Sequence, residues 1–172
     1  MIRKAVPQDI PQVAEIYEEI LRQQERGEAQ VGWIRGVYPT EQTAREALAA
    51  GELFVDEDVG RIKGAAKINR EQEPCYAQGN WTYAATDREV MVLHTLVVSP
   101  RAAGKGCGSR FVAFYERYAR EQGCRALRMD TNEINATARR LYHKLGFQEV
   151  GIVPCDFNGI PGIHLVLLEK PL

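Results

Sequence analysis

Residues 91–98, MVLHTLVV, form an almost unbroken apolar run, and the next eleven residues, SPRAAGKGCGS, hold three glycines ahead of a segment with helical periodicity. A strand that is apolar nearly throughout has both of its faces covered, so this run predicts a central strand with packed layers on either side. Phe111, Val112, Tyr115, Tyr118 and Ala119 then mark the buried side of a helix over 107–122. Strand, tight loop and helix in this order restrict the chain to a layered α/β architecture.

The loop has a chemical reading of its own. The first-turn amides of a helix lack intrahelical partners and the helix dipole places partial positive charge there, which favours an anion. Gly104, Gly106 and Gly108 have no Cβ, so the chain can turn tightly and bring several amides to phosphate oxygens, with Arg101 and Lys105 adding charge. A phosphorylated ligand, most simply a pyrophosphate, fits this pattern, although glycine loops between strands and helices also arise for steric reasons alone. The Walker spacing GxxxxGK[ST] is absent. Gly104 and Gly106 match the start of a dinucleotide fingerprint and Asp130 ends the next strand where a ribose-binding acid would lie, but its third glycine is replaced by Ser109.

The rest of the chain reads as one domain over residues 1–172. A short strand at 2–6 precedes a helix capped by Asp9, with Ile10, Val13, Ile16, Tyr17 and Ile20 on one face and Gly27 at its end. Thr40 caps a second helix carrying Ala44, Ala47 and Leu48, stopped by Gly51. LFVD at 53–56 and RIKGAAKI at 61–68 form an antiparallel pair. The polar segment 69–89, with Tyr76, Trp81 and Tyr83, is either a functional loop or a strand extension. ALRM at 126–129 is a strand, 134–145 a helix ended by Gly146, and 149–155 and 162–169 are strands around an Asn158-Gly159 turn. The expected fold class is α/β (mixed α+β), a mixed sheet with helices on both faces.

Composition excludes several classes of function. With 45% hydrophobic residues, 26% charged residues and a net charge of −1, the chain is an ordinary globular protein without the basic excess of a nucleic-acid binder. No apolar stretch suggests a signal or a membrane span, which points to the cytoplasm. Cys75, Cys107, Cys124 and Cys155 show no metal-ligand or disulfide spacing, so no metal is expected. Buried or incidental thiols are the plain reading, with an exposed, oxidisable Cys107 inside the glycine cluster as the alternative, in keeping with a reducing compartment.

The segment RMDTNEINATARRLYHKLGF, 128–147, adds the second half of a site. Asn135 and Tyr142 are seven apart and so return to nearly the same side of a helix, with Ala138 between them. That side presents an amide, a small residue and a phenol. Together with LVVSP and AAGKGCG, the positions Asn135, Ala138, Leu141, Tyr142, Gly146 and Phe147 resemble the GNAT superfamily of N-acetyltransferases, firmly over 90–150 and loosely over the whole length.

The resemblance implies a single domain with a twisted, mostly antiparallel sheet of about six or seven strands, and acetyl-CoA as co-substrate. It implies transfer of the acetyl group directly to a primary amine, on a small molecule or a protein, through a tetrahedral intermediate. The cofactor-binding positions it assigns are Leu96, Val97, Val98, Arg101, Gly104, Lys105, Gly106, Cys107, Gly108, Ser109, Asn135, Ala138 and Tyr142. Ala103 stands where the family usually has Gln or Arg, so that side-chain contact is either lost or supplied by Arg101. Asn135 would bond an amide of the pantetheine arm, main-chain N–H groups near 96–98 would hold the oxyanion, and Tyr142 would protonate the departing thiolate.

Strand alternation places His94 on one face with Val92, Leu96 and Val98, where it is a candidate base, although a water chain can replace a direct base. Trp33, Tyr38, Trp81 and Tyr83 are either acceptor-recognition residues or loop anchors. Two other classes stay open: a non-catalytic acyl-CoA sensor, and a nicotinamide-dependent enzyme resting on Asp130. No nucleic-acid or membrane partner is expected, and homodimerisation through the C-terminal hairpin is left open.

Overall fold

A computed structural model describes residues 1–172. Seven strands, β1 (Ile2–Lys4), β2 (Leu53–Asp58), β3 (Arg61–Asn69), β4 (Val90–Val98), β5 (Ala126–Asn132), β6 (Gln148–Phe157) and β7 (Ile160–Pro171), form one sheet in the order β1-β2-β3-β4-β5-β7-β6. All neighbours are antiparallel except β4 and β5. Four helices cover it: α1 (Ile10–Glu25), α2 (Glu41–Ala49), α3 (Cys107–Glu121) and α4 (Ala136–Lys144). The parallel pair arises because the β4-to-β5 connection is a full crossover through α3, as parallel strands require.

The apolar periodicities translate directly into two layers. On one face, Ile10, Val13, Ile16 and Tyr17 of α1 and Ala44 and Ala47 of α2 pack on Leu53, Val55, Ala65 and Val97. On the other, Phe111, Val112 and Tyr115 of α3 and Tyr142 of α4 pack on Ala66, Met91, Leu93, Leu127 and Met129. The polar segment after β3 is not a strand extension. It folds as 3-10 turns at Pro74–Gln78 and Asp87–Glu89, and its Cys75 and Tyr76 cover Val90, Val92, Leu165 and Leu167.

Local corrections have local causes. Asp9 does not cap α1 with its side chain; it turns back to accept from the Val6 amide at 2.8 Å and to pair with Arg3 at 2.7 Å. The last helix begins at Ala136 because the Asn135 side chain is its cap, accepting from the Ala138 amide at 3.1 Å. The Asn158-Gly159 turn joins β6 to β7 with both residues at positive φ (49° and 83°), as a type I′ hairpin turn demands.

Two irregularities of β4 create the site. Opposite Ala66 of β3 stand two residues, Thr95 and Leu96, because Ala65 pairs with Val97 while Lys67 pairs with His94. This is a β-bulge, and Thr95 takes the extra turn at φ 51°. In addition, pairing of β4 with β5 ends at Leu93 and Met129, whereas β5 continues alongside β7 to Asn132. Beyond Leu93 the two parallel strands fork. The buried Tyr115 hydroxyl pins the base of the fork, donating toward the carbonyls of Met91 on β4 (2.5 Å) and Arg128 on β5 (3.0 Å).

Candidate active site

A cavity of about 480 Å³ runs through the fork. One end lies against Ala103 and Gly108 of the glycine loop, the middle between Leu96, Val97 and Val98 of β4 and Asn135, Ala138, Leu141 and Tyr142 of α4, and the far end among Trp33, Tyr38, Asp130, Phe157 and Ile163.

At the loop end, Gly104 and Gly106 adopt φ values of 72° and 74°, a region that costs other L-residues about 1–2 kcal/mol. Through this path the chain enters α3 without a side-chain cap. The first protein bond in the turn is from the Arg110 amide to the Gly106 carbonyl, and the amides of Gly104, Gly106, Cys107, Gly108 and Ser109 find no protein acceptor. Arg110 fastens the loop from outside, donating to the Lys105 carbonyl (2.9 Å) and to Asp56 (2.9 Å). Several unpartnered N–H groups at a helix start are what an anion needs.

Two charged side chains expected here lie elsewhere. Arg101 reaches α1, bonding Glu19 at 2.5 Å and Glu15 at 3.3 Å, and borders a different cavity beside Ser99 and Gln12. Lys105 folds onto the Arg101 carbonyl at 3.0 Å. The Cys107 thiol is not exposed: it is buried beside Asp56, at 3.3 Å, and burial followed by that carboxylate pushes its pKa up to about 12. Only the amide of Cys107 is left for a ligand.

In the middle of the cavity, β4 beyond the fork has β3 on one edge and no strand on the other. Its β5-facing main-chain groups are therefore free for a ligand. Across the gap, Ala138 keeps α4 thin, Asn135 retains its side-chain N–H₂ after the oxygen has capped the helix, and Tyr142 presents a hydroxyl with no protein hydrogen bond. Burial raises the Tyr142 pKa above that of a free phenol, which keeps the group protonated. Arg139, adjacent in sequence, turns away to Glu149 at 2.8 Å.

His94 does not share a face with Leu96 and Val98. The bulge at Thr95 inverts the alternation, so Leu96 and Val98 pack with α3 and α4 while His94 faces a second cavity of about 400 Å³ with Glu73, Lys67 and Thr40. Its Nε2 lies 2.8 Å from Asn69 Oδ1 and its Nδ1 3.7 Å from Glu73. Burial, then the nearby Lys67 charge, pulls its pKa down to about 4, so the ring is neutral near pH 7. Tyr38 and Thr95, hydrogen-bonded through their hydroxyls, line both cavities and stand between them.

At the far end the aromatic candidates divide. Trp33 and Tyr38 line the cavity. Trp81 is a loop anchor, donating to the Tyr76 carbonyl at 2.7 Å and lying 4.2 Å from the Arg128 guanidinium, and Tyr83 packs beside it on the core. The 28–33 loop is drawn over the cavity by Gln24, whose side-chain oxygen accepts from the amides of Val31 and Gly32. A Cβ at Gly32, whose φ is 76°, would fall 2.1 Å from Asn132 Nδ2, so a side chain there would have to displace the Asn132 amide.

One residue that the sequence offered in a different setting also belongs to this cavity. Asp130 sits on the cavity wall, accepting from the buried Tyr76 hydroxyl at 2.6 Å, and burial raises its pKa to about 7. Its position directly after the apolar ALRM was the available signal; the fork that opens beside it depends on strand pairing and leaves no local trace.

Comparisons with known proteins bear on the fold and the family. The family model described as the acetyltransferase (GNAT) family matches residues 13–147. An uncharacterised N-acetyltransferase, YhfO, of Bacillus subtilis is 34% identical over 62 residues, covering 36% of this chain and 42% of that protein. An aminoglycoside N(6')-acetyltransferase type 1 of Serratia marcescens is 35% identical over 60 residues, covering 35% of this chain and 41% of that one. The chain thus spans about two fifths of the length of these curated relatives. Among solved structures, a GNAT-family acetyltransferase of Streptococcus agalactiae superposes with a TM-score of 0.82 at 23% identity, over 100% of this chain and 95% of the other. The protein yncA of Salmonella typhimurium, solved with acetyl-CoA, superposes with a TM-score of 0.69 at 20% identity, over 100% and 93%. With the family match running from α1 through α4 and the same fold in both structures, the chain belongs to the acetyltransferase (GNAT) family.

Proposed function

We propose that the protein is an acetyl-CoA-dependent N-acetyltransferase that passes the acetyl group directly to a primary amine, carried by a small molecule or a protein. The observation that carries this reading is the continuity of one cavity from Gly108, in the loop whose five amides are unpartnered, to the unpartnered Tyr142 hydroxyl. The loop amides bind the diphosphate. Asn135 and the free edge of β4 hold the amides of the pantetheine arm, whose thinness suits the gap beside Ala138. Main-chain N–H groups at 96–98 stabilise the oxyanion, in a pocket where such dipoles act with little competition from water. Tyr142 donates the proton that the departing thiolate requires.

The residues fit this substrate without Arg101, because amide contacts do not depend on side-chain identity. Burial of His94 would also suit a sensor that binds acyl-CoA without turnover, but a phenol facing the cavity has its use in proton transfer. The nicotinamide reading loses its key residue, since Asp130 faces the fork, where β5 parts from β4, and not the glycine loop. Ligand binding to the folded state raises apparent stability, so acetyl-CoA and CoA are expected to shift the melting temperature and NAD to leave it unchanged. Tyr142→Phe should lower turnover by about a hundredfold or more, measured as thiol release, with acetyl-CoA affinity kept within about twofold. Wild-type turnover in that variant would remove Tyr142 from the chemistry.

A further inference from the structure

We propose that Asp130 receives the ammonium group of the acceptor and takes its proton, and that the acceptor is an amine with an apolar body and no carboxylate beside the nitrogen. The proposal rests on the acetyltransferase reading above and extends it to the acceptor.

The first observation is charge. Glu28 and Asp130 are the ionisable acids of the fork cavity, and no lysine, arginine or histidine lines it. Glu28 is neutralised at the rim by Arg26 at 2.9 Å. Asp130 has no cationic partner: the ionisable groups around it are Tyr76, Glu73, Tyr38, Tyr142, Cys75 and Cys155, all neutral or acidic. A partly enclosed carboxylate whose surroundings offer one phenol and further negative charge attracts a cation strongly. A ligand carboxylate in the same space would meet repulsion and no cationic partner.

The second observation is shape. The apolar residues lining this end, Trp33, Tyr38, Val31, Phe157, Ile163 and Leu165, suit a hydrocarbon or aromatic body, with Gln30, Thr131 and Asn132 as the polar residues of the same lining.

The third is position. Asp130 is the residue after Met129, where β5 parts from β4, so its carboxylate shares the cavity with Tyr142 and with Leu96 and Val97. A proton acceptor is needed there. One ammonium proton passes to an Asp130 oxygen, and the freed lone pair attacks the thioester carbonyl carbon to form the C–N bond. The C–S bond then breaks with its electron pair on sulfur. Sulfur takes the Tyr142 hydroxyl proton, and the phenolate recovers one from the nitrogen, which becomes the amide. The protonated Asp130 releases its proton to solvent and the cycle is balanced. A carboxyl group that titrates near pH 7 is matched to this task.

The test uses the full chain and pairs of amines differing by one carboxylate: 2-phenylethylamine and phenylalanine, tyramine and tyrosine, isoamylamine and leucine, with spermidine as a polycationic control. Thiol release is followed over pH. The decarboxylated partner should exceed the amino acid by more than about tenfold in kcat/KM, and activity should rise along an acid limb near pH 7. Asp130→Asn should cost about a hundredfold or more and abolish that limb, with acetyl-CoA affinity unchanged. Tyr76→Phe removes a hydrogen bond that favours the ionised carboxylate, so it should move the limb to higher pH and guards against a folding defect in the first variant. Preference for the amino acids or for spermidine, no acetylation of any amine despite acetyl-CoA binding, or an acid limb unmoved in both variants would overturn the proposal. Failure of acetyl-CoA itself to bind would instead strike the underlying acetyltransferase reading.

Discussion

At the scale of single residues, the site is governed by buried groups whose charge the fold has chosen. His94 shows this through stability. Its folded pKa of about 4 lies below its ordinary 6.5, so the unfolded chain binds the proton more readily. The stability that comes from keeping the ring neutral is fully present above pH 6.5 and is lost as pH falls toward 4. The shift corresponds to about 3 kcal/mol. Replacing His94 by Gln should therefore flatten the denaturation free energy between pH 6.5 and pH 4, while the acid limb of activity near pH 7 stays in place. An unaltered stability profile in urea titrations, or a shifted activity limb, would return His94 to the proton-transfer machinery. Tyr142 and Asp130 were both visible as residues of interest, yet only strand pairing shows that they face one space.

At the scale of elements, the decisive feature is the fork between β4 and β5, and Tyr115 of α3 is its rivet. A typical intramolecular hydrogen bond contributes about 0.5–1.5 kcal/mol to stability. Tyr115→Phe should lower stability by that amount in denaturant melts and weaken acetyl-CoA binding, because the fork is no longer fixed at its base. A variant as stable as the parent, with the same affinity, would show that the fork needs no such pin. The elements around the fork were legible beforehand because periodicity is local: the apolar run of β4, the amphipathic face of α3 and the Asn135-to-Tyr142 side of α4 can each be read from consecutive residues. The bulge was not. Whether Thr95 and Leu96 oppose one residue or two is decided by Ala66 on another strand, and that single insertion moved His94 to the opposite face from Leu96 and Val98. Arg101 was misplaced for a similar reason, since Glu15 and Glu19 that bind it belong to a helix far away in sequence.

At the scale of the molecule, one sheet separates two tasks. The α3 and α4 layer offers helix-terminal amides and a narrow gap for an extended, anionic co-substrate, and the opposite layer closes an apolar, acidic chamber with the 28–33 loop and the aromatic residues around it. The fork joins them, which is why a break in an otherwise regular sheet is the most consequential part of the fold. No helix of the structure is long and apolar enough to cross a membrane. The whole account depends on the glycine loop gripping a diphosphate through its own backbone. The direct measurement is the amide spectrum of isotope-labelled protein titrated with CoA: the signals of Gly104, Gly106, Cys107, Gly108 and Ser109 should shift together and saturate with the affinity found for acetyl-CoA. Saturable binding that leaves those five amides unmoved would contradict it.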